Sequence, residues 1–197
     1  MKKIITTIFL NIAVFSYSQI ILGGTNGTAP ANNKAAVLLE FEAGLNKGFI
    51  LPSVRTLPVA PNVTPGTMLL DASVSNSTQA KVRFYAPSNA NADVSGWVDL
   101  SAGNVANLTT FMSLQPPSTG VGAVTEETAA KTIIGADTST ADGVLVLEST
   151  TKVMVLPHVA TTNDIKDPTP GMMVYINGTN KRLAVYNGLK WTYWAAQ

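Results

Sequence analysis

The chain has 197 residues, 13 Lys+Arg against 12 Asp+Glu and a formal charge of +1, so it carries no basic field that would draw nucleic acid or anionic lipid. Its 46% hydrophobic and 13% charged content is the reverse of the composition that keeps a chain disordered. The absence of cysteine removes disulfides, thiolate metal sites and anchoring through a lipidated cysteine.

Lys2-Lys3, the apolar stretch Ile4 to Phe15 and the small-residue stretch Ser16-Tyr17-Ser18 have the layout of an export signal, which predicts a mature chain starting at Gln19. The apolar stretch is too short to span a bilayer, which takes about 20 residues. The expected product is therefore exported to the periplasm, the cell surface or the medium, with no membrane insertion after cleavage. About 180 residues remain, enough for a core in one or two domains.

In chain order, residues 20–33 are rich in Gly, Thr, Asn and Pro and read as turns. Val37 to Phe41 is an apolar run of strand length, and Gly48 to Pro52 is a second one closed by proline. Pro58, Pro61 and Pro65 make residues 53–66 a loop of polyproline character. Thr67 to Leu70, Lys81 to Tyr85 and Gly96 to Leu100 supply three more extended pieces. Residues 101–131 read as a linker, with a short helix over Asn107 to Leu114, another turn or two over Thr125 to Lys131, and a hinge at Pro116 to Gly120. Beyond it, Val144 to Glu148, Val153 to Pro157, Met172 to Ile176, Arg182 to Tyr186 and Lys190 to Trp194 are extended, and Asn177-Gly178 and Asn187-Gly188 predict tight hairpin turns with positive φ.

These pieces repeat. Leu51-Pro52 and Leu156-Pro157 are 105 positions apart, and the same shift carries Pro65-Gly66-Thr67-Met68 onto Pro170-Gly171-Met172-Met173. Upstream, Leu22-Gly23 answers Ile134-Gly135 and Val37 to Glu40 answers Leu145 to Glu148; downstream, Val82 to Tyr85 answers Leu183 to Tyr186 and Trp97 answers Trp191. The shift shrinks along the chain, as deletions confined to loops would make it. The predicted fold is all-β: two tandem copies of a short-strand unit, each ending in an antiparallel meander, intertwined in a fibre-like oligomer. The division is a signal peptide at 1–18, a first β repeat at 19–100, a linker at 101–131 and a second β repeat at 132–197. Leu51, Met68, Phe84 and Trp97 should take the places of Leu156, Met173, Val185 and Trp191.

No residue set points to catalysis, a cofactor or a metal. His158 is the sole histidine; it stands where the first copy has Ser53 and is read as an exposed loop residue. Asp71, Asp164 and Asp167 do not form a closely spaced set of oxygen ligands for Ca²⁺ and are read as turn caps. Gly23-Gly24-Thr25-Asn26-Gly27 lacks the Lys-Ser/Thr ending of a phosphate loop. Glu40 and Glu148 follow equivalent strands and are read as rim charges, or as partners of a base such as Lys152 across an interface. Trp97 and Trp191 are equivalent and read as core; the terminal Trp194, with Tyr193, is the candidate for contact with a subunit or partner. Leu39 and Leu147 sit in short, nearly uncharged runs that a chain of this size struggles to cover alone, so both are assigned to a subunit contact.

The pattern Gly24-Thr25…Pro30, Leu39-Glu40, Gly48-Phe49-Ile50-Leu51-Pro52, Pro170-Gly171-Met172-Met173-Val174-Tyr175 and Tyr186-Asn187-Gly188-Leu189-Lys190-Trp191 resembles a type of flavobacterial exported repeat protein. The Gly-Thr and Leu-Glu portion is also similar to segments of trimeric phage tail fibres. The resemblance implies a non-enzymatic structural or interaction protein, a homo-oligomer with a trimer favoured, serving as accessory to a surface adhesin, fibre or gliding-motility complex. The alternative is a small glycan-binding β module.

Overall fold

The computed structural model describes residues 19–73, 77–117, 120–125, 127 and 129–195; the export signal read at 1–18 lies outside them. Among the described residues, the first copy holds β1 (Ile20–Leu22), β2 (Val37–Phe41), β3 (Phe49–Ile50), β4 (Ser53–Val54), β5 (Met68–Asp71), β6 (Lys81–Tyr85) and β7 (Trp97–Asp99). The second holds β8 (Thr132–Ile134), β9 (Leu145–Leu147), β10 (Val153–Met154), β11 (His158–Val159), β12 (Met172–Ile176), β13 (Arg182–Tyr186) and β14 (Trp191–Trp194). A 3₁₀ helix at Ala31–Ala36, the short helix α1 (Thr109–Ser113) and a 3₁₀ turn at Thr162–Asp164 are the helical pieces.

The fold is all-β, and the sheets β4-β5-β6-β7 and β11-β12-β13-β14 of the two copies share strand order and register. β4 runs parallel to β5 with Ser53 opposite Leu70, and β11 runs parallel to β12 with His158 opposite Tyr175. The meanders β5-β6-β7 and β12-β13-β14 pair Met68 with Phe84 and Tyr85 with Trp97, against Met173 with Val185 and Tyr186 with Trp191. Each meander opens on a Pro-Gly turn, closed by Thr67 N–H to Thr64 O in one copy and Met172 N–H to Thr169 O in the other. Gly66 and Gly171 hold φ of 94° and 84° there, the left-handed position that glycine supplies after proline in a type II turn.

One joint differs. β1 pairs parallel to β2 with Ile20 opposite Leu39, whereas β8 pairs parallel to β9 with Thr132 opposite Leu145, a slip of two residues. Side chains alternate with period two, so the slip leaves every side chain on its own face.

The Leu-Pro element marks a change of partner. β3 pairs antiparallel with β12 of the other copy and Leu51 N–H donates to Gly171 O; one residue later Pro52 O accepts from Leu70 N–H and the chain continues as β4 beside β5 of its own copy. At the second site Val155 N–H donates to Leu39 O, then Pro157 O accepts from Tyr175 N–H. Proline has no N–H to commit to the sheet being left. The single strand expected over Gly48 to Pro52 is thus two, and the loop expected from residue 53 begins with a strand.

The main core joins both copies: Leu51, Leu70, Val82, Leu100, Met173 and Val185 pack together with Ala106, Leu108 and Met112. Residues 101–117 are therefore core-building rather than a linker. Ala106 bridges to Ala80, and Arg55 Nη2 donates to Met112 O at 2.9 Å. The expected helix appears as α1; over Thr125 to Lys131, Ala130 N–H to Glu127 O closes one turn.

The Asn-Gly turns are not the tight hairpins expected. Asn177 and Asn187 keep negative φ, and the connections run over 177–181 and 187–190. Asn187 is buried and organises its turn by side chain: Oδ1 accepts from the N–H groups of Leu189 and Lys190, both at 2.9 Å, while Nδ2 donates to Asn104 O at 2.9 Å. This last bond ties the end of the second copy to the segment after the first.

Candidate oligomerisation surface

The same run of sequence has two fates. In the first copy, β2 is the middle strand of β1-β2-β10, and Val37, Leu38, Leu39 and Glu40 are all buried. In the second copy, β9 pairs with β8 alone among the described residues; Val146 is buried, Leu147 half-buried, and Leu145 and Glu148 are exposed. Val144, just before it, is 65% exposed. The difference follows from β10, which crosses from the second copy to cover the first and has no counterpart over β9.

Leu39 is thus corrected: it is 0% exposed and packs with Leu38, Ile134, Leu147 and Met154 inside the chain, so it offers nothing to a partner. Leu147, its equivalent, remains on a strand with a free edge.

Glu40 is corrected too. It is fully buried, not a rim charge, and is held by Lys34 Nζ at 2.8 Å, Ala29 N–H at 2.7 Å and Gln19 Nε2. A buried carboxylate needs such compensation, because desolvation without a partner costs several kcal/mol, of order 3–5. Lys34 projects from the 3₁₀ helix between β1 and β2. The glycine-rich segment before it wraps the acids: a Cβ on Gly27 would lie 1.9 Å from the Glu40 carboxyl carbon, one on Gly24 would collide with Glu42, and Asn26 N–H donates to Glu42 Oε2 at 2.8 Å. What resembles a phosphate loop cradles this chain's own carboxylates. Glu148 is exposed and accepts from Ser139 Oγ at 2.5 Å.

The aromatic residues fall into equivalent pairs. Tyr85–Trp97 and Tyr186–Trp191 ring centroids lie 5.3 and 5.2 Å apart. Trp97 is buried under the proline-rich loop, its Nε1 donating to Pro58 O at 3.0 Å, which gives that loop a packing role. Trp194 is partly exposed, but its Nε1 donates to Leu100 O at 2.8 Å; Tyr193 bonds Thr162 Oγ1 through its hydroxyl at 3.0 Å and carries Arg182 over its ring at 4.2 Å. The polar ends of both are committed within the chain and Arg182 covers one face of the Tyr193 ring, while both residues stay partly exposed.

His158 is not a loop residue. It lies in β11, half-buried against Tyr175 at 5.2 Å between ring centroids, and burial pushes its imidazole below the ordinary histidine range. Asp164 closes a capping box with Thr161, as a turn cap should. Asp71 also caps a turn, its Oδ1 accepting from Ser73 N–H at 3.0 Å, and its buried Oδ2 pairs with Arg83 Nε at 2.9 Å. Among the described residues no group of three or more His, Cys, Asp and Glu could hold a metal ion, and no helix is long and apolar enough to cross a membrane.

Sequence reasoning missed Ile50 and Val153, exposed apolar residues at 48% and 58% on the two strands that cross between copies. Strands of two residues carry no periodic signal; the repeated Leu-Pro after each was the available clue.

Residues 133–196, essentially the second copy, match the family described as a phage tail like trimerisation region. No curated protein and no solved structure matches the chain. The matched segment includes β9, whose second edge is unpaired among the described residues.

Proposed function

We propose that this is an exported, non-enzymatic structural protein that self-associates as a homotrimer and serves as an accessory of a cell-surface fibre, adhesin or gliding-motility complex. The observation that carries the reading is the exposure of β9, a short apolar strand whose equivalent β2 is buried under a further strand. An uncovered apolar edge is a hazard unless something pairs with it. A family named for trimerisation covers this half, which favours copies of the chain as the cover. The charge balance and the small-residue, β-branched composition suit a packed assembly better than a reaction centre.

The protein extracted gently from its native envelope should run as a trimer and bring a fibre or adhesin subunit with it in a pull-down. A monomer that carries no envelope protein would overturn the reading.

A further inference from the structure

The two copies meet through unlike faces. A two-fold contact would balance β3 on β12 with β10 on β5, but β10 pairs with β2 instead. The contact is therefore heterologous: the first copy contributes β3 and the edge of β2, the second β10 and the edge of β12. A heterologous contact uses one face of each unit and leaves the complementary face of each unused. In the second copy the unused face is β9 with the outer edge of β10; in the first it is the outer edge of β3 with the start of β5.

The backbone agrees with this assignment. Val155 N–H donates to Leu39 O across β10-β2, and Leu51 N–H donates to Gly171 O across β3-β12. Successive amides of a strand point to opposite edges, so the Leu156 and Ile50 N–H groups face away from these partners. Their counterpart acceptors by the repeat, Gly66 O and Leu147 O, lie on β5's leading turn and on the end of β9. The exposed apolar residues Ile50, Val153, Val144 and Leu145 cluster on these same elements.

We propose that the open face of the second copy docks onto the open face of the first copy of another molecule of this chain, repeating the intrachain contact strand for strand. β3 of the next chain lies beside β9, with Ile50 N–H donating to Leu147 O. β10 lies antiparallel to the start of β5 of the next chain, with Leu156 N–H donating to Gly66 O. By the observed pairing of Ile50 with Met172, Val155 falls opposite Thr67 of the next chain. The inference rests on the self-association reading and specifies its interface; successive contacts of this kind close a ring or extend a fibre.

The absence of cysteine allows a direct test. Because Leu51 and Gly171 are the hydrogen-bonded pair, Ile50–Met172 is a non-hydrogen-bonded one, with Cα atoms about 4.5 Å apart, inside the range of roughly 4.4–6.8 Å that a disulfide spans. The double variant Thr67→Cys/Val155→Cys should link between molecules under mild oxidation, moving most of the chain into covalent multimers on a non-reducing gel. Mixing the two single variants should yield covalent dimers only. The control Ile50→Cys/Met172→Cys should close within one chain and run as a monomer.

If Thr67→Cys/Val155→Cys yields no intermolecular link while the control closes and light scattering shows the wild-type assembly, the interface is overturned and self-association stands. A control that links between molecules, or fails to close, removes the template and overturns the inference as well. A monomer by light scattering would overturn both the interface and the reading it rests on.

Discussion

Leu39 and Leu147 occupy the same place in the two copies, yet Leu39 is sealed between β1 and β10 while Leu147 stands on a strand with one partner. Leu39→Ala should cost about 2–5 kcal/mol of folding stability, as truncation of a buried leucine does. Leu147→Ala should cost markedly less in the isolated chain and weaken assembly instead. Urea denaturation and native mass spectrometry of the two variants separate these effects; equal losses of stability would deny the asymmetry.

Glu40 and Glu148 should diverge in the same way. Glu40→Ala removes a buried partner of Lys34 and two further donors and is expected to destabilise the fold by about 3–5 kcal/mol. Glu148→Ala, at an exposed site, should stay within about 0.5 kcal/mol. Gly27→Ala should reproduce the Glu40 defect, because the added Cβ occupies the carboxylate's space. Thermal melts of the three variants check the ordering.

His158 gives a pH dependence with a definite sign. Its folded-state pKa is depressed by burial, so above about 6.5 both folded and unfolded forms are neutral and the residue adds no slope. As pH falls below that, the unfolded chain takes up the proton more readily and stability declines until the folded pKa is passed. His158→Gln should flatten this decline in denaturation curves taken as the pH falls below about 6.5. His158→Ala should also lose roughly 0.5–1.5 kcal/mol of ring contact with Tyr175.

Trp97 and Trp194 test the assignment of the aromatics. Trp97→Ala empties a buried site beneath the proline-rich loop and should cost about 3–5 kcal/mol, with the near-ultraviolet dichroism of the Tyr85–Trp97 pair lost. Trp194→Phe keeps an aromatic ring but loses the indole N–H that donates to Leu100 O and the rest of the second ring at a partly exposed site, so it should cost about 0.5–1.5 kcal/mol. A larger loss for Trp194→Phe than for Trp97→Ala would contradict the packing described.

The repeat and the all-β class were legible because apolar runs of strand length recur at related spacings, and the register of Met68, Phe84 and Trp97 against Met173, Val185 and Trp191 follows from the same shifts. Glu40 was not legible: an acid at the end of an apolar run looks like an edge charge until Lys34 and the Gly27 segment close over it. Asn187 misled because Asn-Gly usually signals a backbone turn, whereas here the asparagine side chain makes the turn bonds. The exchange of β3 and β10 between copies was hidden because two residues carry no periodicity. The Leu-Pro pairs that direct the exchange were visible in sequence as repeats, but their meaning as partner-switch points needed the sheet pairings.

The central claim is that the edge of β9 is covered by another copy of this chain. Light scattering of the purified wild type and of Leu147→Asp, across micromolar concentrations, tests it most directly. The account predicts a trimer for the wild type and a folded monomer for Leu147→Asp, with its β-sheet dichroism retained. A wild type that is monomeric throughout this range, or a Leu147→Asp variant that assembles like the wild type, would contradict it.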